Sequence, residues 1–358
     1  MKKTTQVFLL IGTVLAAFIV GTGVFLAWGF LSSPGSSATS KEVIYEATPG
    51  KSFLAIANDL QTAGVVKNAR MFSIYARFTG ERSKIKAGGY LFRTSMTPYE
   101  VLQVLTSGRS IGRPFTISEG LNMFEIAQAY ERGGFGRAKD FLSITRDPAI
   151  AKALLGPEAT SLEGYLFPET YQITKFTTTR ELIASMVRRF LNVYKEVDNM
   201  GPHAMSRHQI VTFASLIEKE TGAPEERPLI ASVFFNRLKK NMRLQTDPTI
   251  IYGIALETGR IPNNIRRADI LRPTLYNTYT ISGLPPGPIA NAGREALMAA
   301  IKPARSDYLF FVSRNDGTHV FSKTYEEHNR AVREYQLNPR AREGKSWRDL
   351  KSRPATGP

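Results

Sequence analysis

Between Val7 and Leu31 the chain runs for 25 residues without a charge, and most of those residues are apolar. As a helix, a run of that length is long enough to cross the hydrocarbon layer of a bilayer. Lys2 and Lys3 precede it, and no basic residue follows until Lys41. That asymmetry predicts a cytoplasmic N-terminus with everything after Leu31 on the outer side. A cleaved signal peptide is the competing reading, because Ser36-Ser-Ala38 is weakly small-residue-like. Signal h-regions, however, run only ~7–15 residues, so a retained anchor is expected.

With 358 residues in all, the chain is long enough for two or three domains with cores of their own. Lys and Arg outnumber Asp and Glu by 47 to 31, a net charge of +16. Such a balance suits nucleic acid, anionic lipid or an acidic polymer. The expected orientation argues against nucleic acid, which the basic part would not meet there. The sequence contains no cysteine, which excludes disulfides, thiolate metal sites and cysteine nucleophiles.

Ser32 to Ser40 is a flexible linker by composition. Val43-Ile-Tyr-Glu46 then alternates like a strand, and Phe53, Ile56, Ala57 and Leu60 recur at helical spacing. A second helical stretch covers 69–78, and Ile85 to Phe92 reads as a turn into a strand. Strand, helix, helix, strand in so short a span predicts a small α+β module. Helical patterns dominate from Met205 to Asp307, and Tyr308 to Ser322 reads as a hairpin around Arg314-Asn-Asp-Gly317. The expected order is therefore 1–6 cytoplasmic, 7–31 transmembrane, 32–41 linker, 42–112 small module, 113–335 larger, mainly helical α+β domain, and 336–358 basic tail.

Several familiar motifs fail. Gly50-Lys51-Ser52 ends like a phosphate loop, but Tyr45 stands where its first glycine belongs, so a strand-turn-helix entry fits better. His203, His208, His319 and His328 include no HExxH pair, and no metal or other cofactor is expected. No G-x-S-x-G elbow is present. The chemistry points instead to the helix 207–220. Counting 100° per residue, Glu218 and Glu220 fall about 160° apart on opposite shoulders of its apolar face. At most one of them can serve a single pocket, and periodicity does not say which. A carboxylic acid on such a shoulder suits a general acid, because partial burial favours its protonated form. Cleavage of a glycosidic bond normally takes two carboxylates; with only one, another group must act as nucleophile.

Ala214 to Gly253, with Glu218-Lys-Glu-Thr221, Ser232-Val-Phe-Phe-Asn-Arg-Leu238 and Met242-Arg-Leu-Gln-Thr-Asp-Pro-Thr249, resembles the endolytic murein transglycosylases, the YceG-like (MltG) family. So do Leu162 to Thr170, Tyr276-Asn-Thr-Tyr279, Gly283 to Ile289, and His319-Val-Phe-Ser322 followed by His328-Asn329. The likeness runs from about residue 43 to 335. It implies a LysM-like membrane-proximal module, an inner-membrane enzyme facing the periplasm, and peptidoglycan glycan strands as substrate. It also implies peptidoglycan synthases as partners. In such an enzyme the muramic acid's own C6 hydroxyl attacks and leaves a 1,6-anhydro end. The resemblance assigns catalysis to the first acid of the motif, Glu218. Asn236, Arg237, Gln245, Thr246, Asp247, Tyr252 and Tyr276 are the expected substrate-binding residues, each with a plainer structural alternative. Asp247-Pro248 also reads as an N-cap followed by a first-turn proline. Tyr279 is a further candidate for sugar stacking. Glu163 and Glu169 are the rivals for a second carboxylate, with structural or positioning roles favoured.

Overall fold

The computed structural model describes residues 18, 21–23, 28–35, 40–85, 87–107 and 111–338. The expected transmembrane segment and basic tail fall largely outside them. Among the described residues no helix is long and apolar enough to cross a membrane. The architecture is mixed α+β and helix-rich, with three two-stranded sheets among the described residues. The chain divides into two compact units, Met1–Pro114 with Gln172–Thr177, and Phe115–Tyr171 with Thr178–Pro358.

In the first unit β1 (Glu42–Ala47) pairs antiparallel with β2 (Gly88–Arg93), Tyr45 lying opposite Tyr90. Helices α1 (Phe53–Thr62) and α2 (Ala69–Phe78) lie between them in sequence, and α3 (Pro98–Thr106) follows. Phe53, Ile56, Ala57 and Leu60 are buried, as their spacing predicts, and share a core with Phe72, Tyr90, Phe92 and Leu102. Ser52 caps α1, its Oγ accepting from the Ala55 amide at 3.2 Å, while Lys51 ion-pairs with Asp59. Gly50-Lys51-Ser52 is thus a helix entry, with its lysine engaged by Asp59.

Strands β3 (Arg113–Thr116) and β4 (Thr170–Ile173) form the second sheet. The second unit contains helices α4 (Met123–Arg132), α5 (Ala138–Thr145), α6 (Pro148–Leu155), α7 (Thr179–Asp198), α8 (Arg207–Glu220), α9 (Arg227–Lys239), α10 (Asp247–Thr258), α11 (Arg267–Leu271) and α12 (Arg294–Ile301). A hairpin of β5 (Phe310–Ser313) and β6 (His319–Ser322) follows, with Ser313 opposite His319, and then α13 (Tyr325–Val332). Helix α8 is the axis of this unit. It opens on a reciprocal cap between Ser206 and Gln209, and every residue from Ile210 to Ile217 is buried. Angle counting predicts one apolar face; packing against α9, α10 and α12 covers the other sides as well. The polar residues within it are satisfied locally. Ser215 donates to the Thr212 carbonyl at 2.7 Å and accepts from the Ile289 amide at 3.1 Å, which ties the proline-rich loop 283–289 to the helix.

A second approach to α8 is closer still. Gly164 holds a left-handed backbone (φ +82°), and a Cβ there would stand 2.5 Å from Pro288 Cβ and 2.8 Å from Val211 Cγ1. Gly164→Ala combines backbone strain with a clash that neither proline nor a buried valine can relieve. The expected loss is about 3 kcal/mol or more by chemical denaturation. An unchanged midpoint would show that the loop is not seated against α8 in this way.

Candidate active site

The last turn of α8 carries both acids out of the core, and it delivers them to different surroundings. Glu218 has a side chain only 6% exposed. Its Oε1 accepts from Arg227 Nη2 at 3.1 Å, and its Oε2 accepts from the Gly293 amide at 3.2 Å. The same Arg227 nitrogen donates to Glu119 Oε2 at 3.1 Å. Burial, followed by the neighbouring charge of Glu218, raises the Glu119 carboxyl above its ordinary range. Glu218 therefore belongs to a clamp joining α8, the start of α9, the start of α12 and the turn at Gly120, where it also fills the space beside the glycine. Each oxygen of this carboxylate thus has one donor, and its counter-ion is shared with Glu119.

Glu220 lies in the other environment. It is half-buried and lines a groove of about 350 Å³ shared with Phe234, Arg237, Leu244, Gln245, Asp247, Tyr279, Phe311 and His328. Burial is the largest influence on its carboxyl and pushes its pKa upward. The Asp247 charge adds to that, whereas a hydrogen bond from Thr246 and the proximity of His319 and Lys219 pull the other way. Thr246 is the N-cap residue of α10, yet its hydroxyl does not cap the helix; it donates to Glu220 Oε1. Asp247 is consequently the first helical residue and not the cap its sequence suggests. Its carboxylate instead accepts from the Tyr279 hydroxyl at 2.7 Å. The irregular approach to α10 is braced by the segment 276–279: the Gln245 backbone amide donates to the Thr278 carbonyl at 3.2 Å and the Thr246 amide to Thr278 Oγ1 at 3.0 Å. Gln245 itself takes φ +53°, a costly conformation for that side chain, and such strain collects where a residue must be aimed.

The remaining expected groove residues divide. Arg237 lines the groove, but its Nε donates to the Leu309 carbonyl and its Nη1 to the Arg243 and Leu244 carbonyls and, at 3.5 Å, to Gln245 Oε1. It shapes the wall. Asn236 faces elsewhere, its amide donating to the Ser306 and Tyr308 carbonyls. Tyr252 is buried against Phe124 and Tyr276, with ring centroids at 6.3 and 5.1 Å. Tyr276 borders a separate apolar groove with Leu256, Arg272 and Leu275. Thus the structure brings Arg237, Gln245, Thr246 and Asp247 to one acid, Glu220, and leaves Asn236, Tyr252, Tyr276 and Glu218 outside that group.

Neither rival carboxylate reaches the groove lining. Glu169 pairs with Arg189 on the surface at 2.7 Å. Glu163 is buried; it accepts from the Met123 amide at 2.9 Å and from Asn291 Nδ2 at 3.0 Å, and burial drives its pKa up to about 8 although the Met123 and Gly164 amides pull it down. It fastens the start of α4 to the loop around Asn291. A comparable fastening holds the hairpin over the turn that follows Glu220. Glu226 accepts both the amide and the Nδ1 proton of His319, at 3.1 and 2.7 Å. Gly222 lets the Gly317 carbonyl approach to 2.6 Å from where a Cβ would stand.

Comparison with known proteins places this geometry. The YceG-like family model matches residues 45–334. The chain belongs to the YceG-like family. It is 35% identical over 334 residues to the endolytic murein transglycosylase of Bacillus subtilis (strain 168), a match covering 88% of this chain and 91% of that one. It is 30% identical over 368 residues to the endolytic murein transglycosylase of Streptococcus pneumoniae (strain D39), covering 89% of this chain and 65% of that protein. The 2.6 Å crystal structure of a yceG-like protein from Listeria monocytogenes is 33% identical and superposes with a TM-score of 0.55, covering 82% of this chain and all of that one.

Within this YceG-like chain, sequence reasoning passed over Phe311 and His328 as groove residues. The only signal for the latter was its place in the closing His-Asn pair; Phe311 is an ordinary strand residue until the hairpin folds back. The clamp around Glu218 yields a direct test of its structural role. Arg227→Met should cost about 3 kcal/mol, because Glu218 keeps its burial and loses its counter-ion. Denaturant titration should show this loss. A cost below about 0.5 kcal/mol, the scale of a surface ion pair, would contradict the clamp.

Proposed function

We propose that the chain is an endolytic peptidoglycan lytic transglycosylase in which Glu220, rather than Glu218, is the general acid. The observation that carries this reading is the placement of Glu220: a carboxyl with an upward-shifted pKa, held by a hydroxyl from a helix cap, facing a groove that the other polar residues share. An acid whose pKa is raised holds its proton more readily and can deliver it to the leaving glycosidic oxygen between N-acetylmuramic acid and N-acetylglucosamine. As that C–O bond breaks, the muramic C6 hydroxyl attacks the anomeric carbon, and the Glu220 carboxylate takes the hydroxyl proton. The products are a 1,6-anhydro end and a free 4-hydroxyl, with no water consumed. Asp247, held by Tyr279, supplies negative charge opposite the oxocarbenium-like centre. The names of the Bacillus and Streptococcus relatives support the substrate and reaction class.

The uncharged run from Val7 to Leu31, with Lys2 and Lys3 before it, supports a single-pass inner-membrane anchor with the groove on the periplasmic side. The β-α-α-β unit is read as a LysM-like module that holds glycan close to that membrane. Peptidoglycan synthases, which make the strands, are the matching protein partners. The excess of basic residues suits both anionic headgroups and the carboxylates of peptide stems.

Purified glycan strands digested and analysed by mass spectrometry test the assignment. Wild type should yield 1,6-anhydro ends, Glu220→Gln should lower the rate at least about 1,000-fold, and Glu218→Gln should retain catalysis while losing roughly 2 kcal/mol of stability. Loss with Glu218→Gln in a folded protein, and retention with Glu220→Gln, would reverse the assignment; reducing ends would indicate a water-using muramidase. The pH profile gives an independent check. The acid must be protonated, so activity falls as pH rises through the Glu220 pKa. Asp247→Asn removes a charge that raises this pKa and should move the alkaline limb to lower pH; Thr246→Val removes a donor that lowers it and should move the limb to higher pH. Shifts in the same direction for both variants would exclude Glu220 as the titrating acid.

A further inference from the structure

The hydrogen-bonding groups of the groove are unequally engaged. Glu220 and Asp247 present acceptors, and the Tyr279 hydroxyl already donates to Asp247. Gln245 Oε1 is turned toward Arg237 Nη1, which leaves its amide NH2 as the end free to meet a ligand. His328 is the least expected member. Its ring stacks on Phe310, centroids 5.1 Å apart and planes inclined by 23°, and its Nδ1 is buried without a hydrogen-bond partner. A proton on that nitrogen would be a donor buried with nothing to receive it, a costly arrangement. The imidazole therefore carries its proton on Nε2, which engages no acceptor among the described residues. Burial and the nearby Arg237 charge both push the His328 pKa down, in keeping with a neutral ring.

Two unengaged N–H donors on one groove, with Phe234, Leu244 and Phe311 as apolar wall and carboxylates beside them, fit a particular chemical group. An acetamide offers a carbonyl oxygen that takes two donors, a methyl that seeks apolar surface, and an N–H that seeks a carboxylate. We infer that His328 and Gln245 form the subsite that recognises the N-acetyl carbonyl of the sugar bound beside Glu220, each donating one N–H to it. This rests on the glycan reading of the groove and adds to it a determinant of specificity. The strained backbone of Gln245 is then the cost of aiming its amide at the same oxygen.

The test uses the catalytically silenced Glu220→Gln protein, so that binding is read without cleavage. Its probes are a murein tetrasaccharide and the same tetrasaccharide chemically de-N-acetylated. Calorimetry should give a preference of about tenfold or more for the acetylated probe. Adding His328→Phe keeps the aromatic stack on Phe310 and removes the donor. It should weaken binding of the acetylated probe about tenfold while leaving the de-acetylated probe unaffected, because the new amine charge acts equally on both proteins. His328→Gln, which restores an N–H, should recover part of the preference; melting curves confirm that each variant is folded. A preference undiminished in His328→Phe overturns the assignment, as does nitrogen NMR placing the imidazole proton on Nδ1. Absence of binding by either probe to the Glu220→Gln protein would instead sink the glycan reading of the groove, and this inference with it.

Discussion

The burial of α8 on every side, from Ile210 to Ile217, is the constraint from which the rest of the second unit follows. A helix enclosed so completely cannot shift or rotate without breaking its packing, so whatever leaves its end is aimed with little freedom. Two carboxylates leave that end two residues apart. Each has lost much of its water, and each loss is offset differently. Glu218 accepts from Arg227, which it shares with Glu119, and from a backbone amide. Glu220 has no such cation in hydrogen-bond contact, only a hydroxyl from Thr246, and keeps its proton to a higher pH. The first arrangement is an ion-paired clamp, and the second favours the protonated form of the acid.

Around this axis, polar side chains are turned inward onto backbone carbonyls and amides. Arg237 holds the chain from Arg243 to Leu244 and the start of β5; Asn236 holds the segment before it; Asn277 donates to the carbonyls of Asp269, Ile270 and Arg272; Asn291 bridges Leu121 and Leu166. Each satisfies loop backbone that has no ladder or helix partner of its own. Such bonds hold the irregular part of the groove wall, Leu244, Gln245 and Tyr279, beside residues carried on α8, α9, α10, β5 and α13. The same device explains why so many conspicuous polar residues near Glu220 do not face the groove.

Much of this molecule was legible in its sequence because it depends on local rules. The stripe Phe53, Ile56, Ala57 and Leu60 became the buried side of α1, and Ser52 became its cap. The Asn-Asp-Gly turn produced the β5–β6 hairpin. Local rules failed where a side chain had two possible partners. Asp247 before Pro248 looked like a cap, but Tyr279, distant in sequence, claimed its carboxylate, and the residue at the cap position gave its hydroxyl to Glu220. Tyr252 and Tyr276 could be read as sugar platforms or as packing, and they lie against one another.

The sequence by itself determined that a long uncharged run precedes a basic chain without cysteine, that the larger region is helical, and that its motifs belong together. It also determined that the two acids of Glu218-Lys-Glu220 point apart, since that follows from the helical repeat alone. Only the tertiary structure decided which of them meets Arg227 and which meets the groove. The reason is physical: both positions have the same residue type and nearly mirror-related places on the helix, so their difference lies wholly in what the rest of the chain packs beside them.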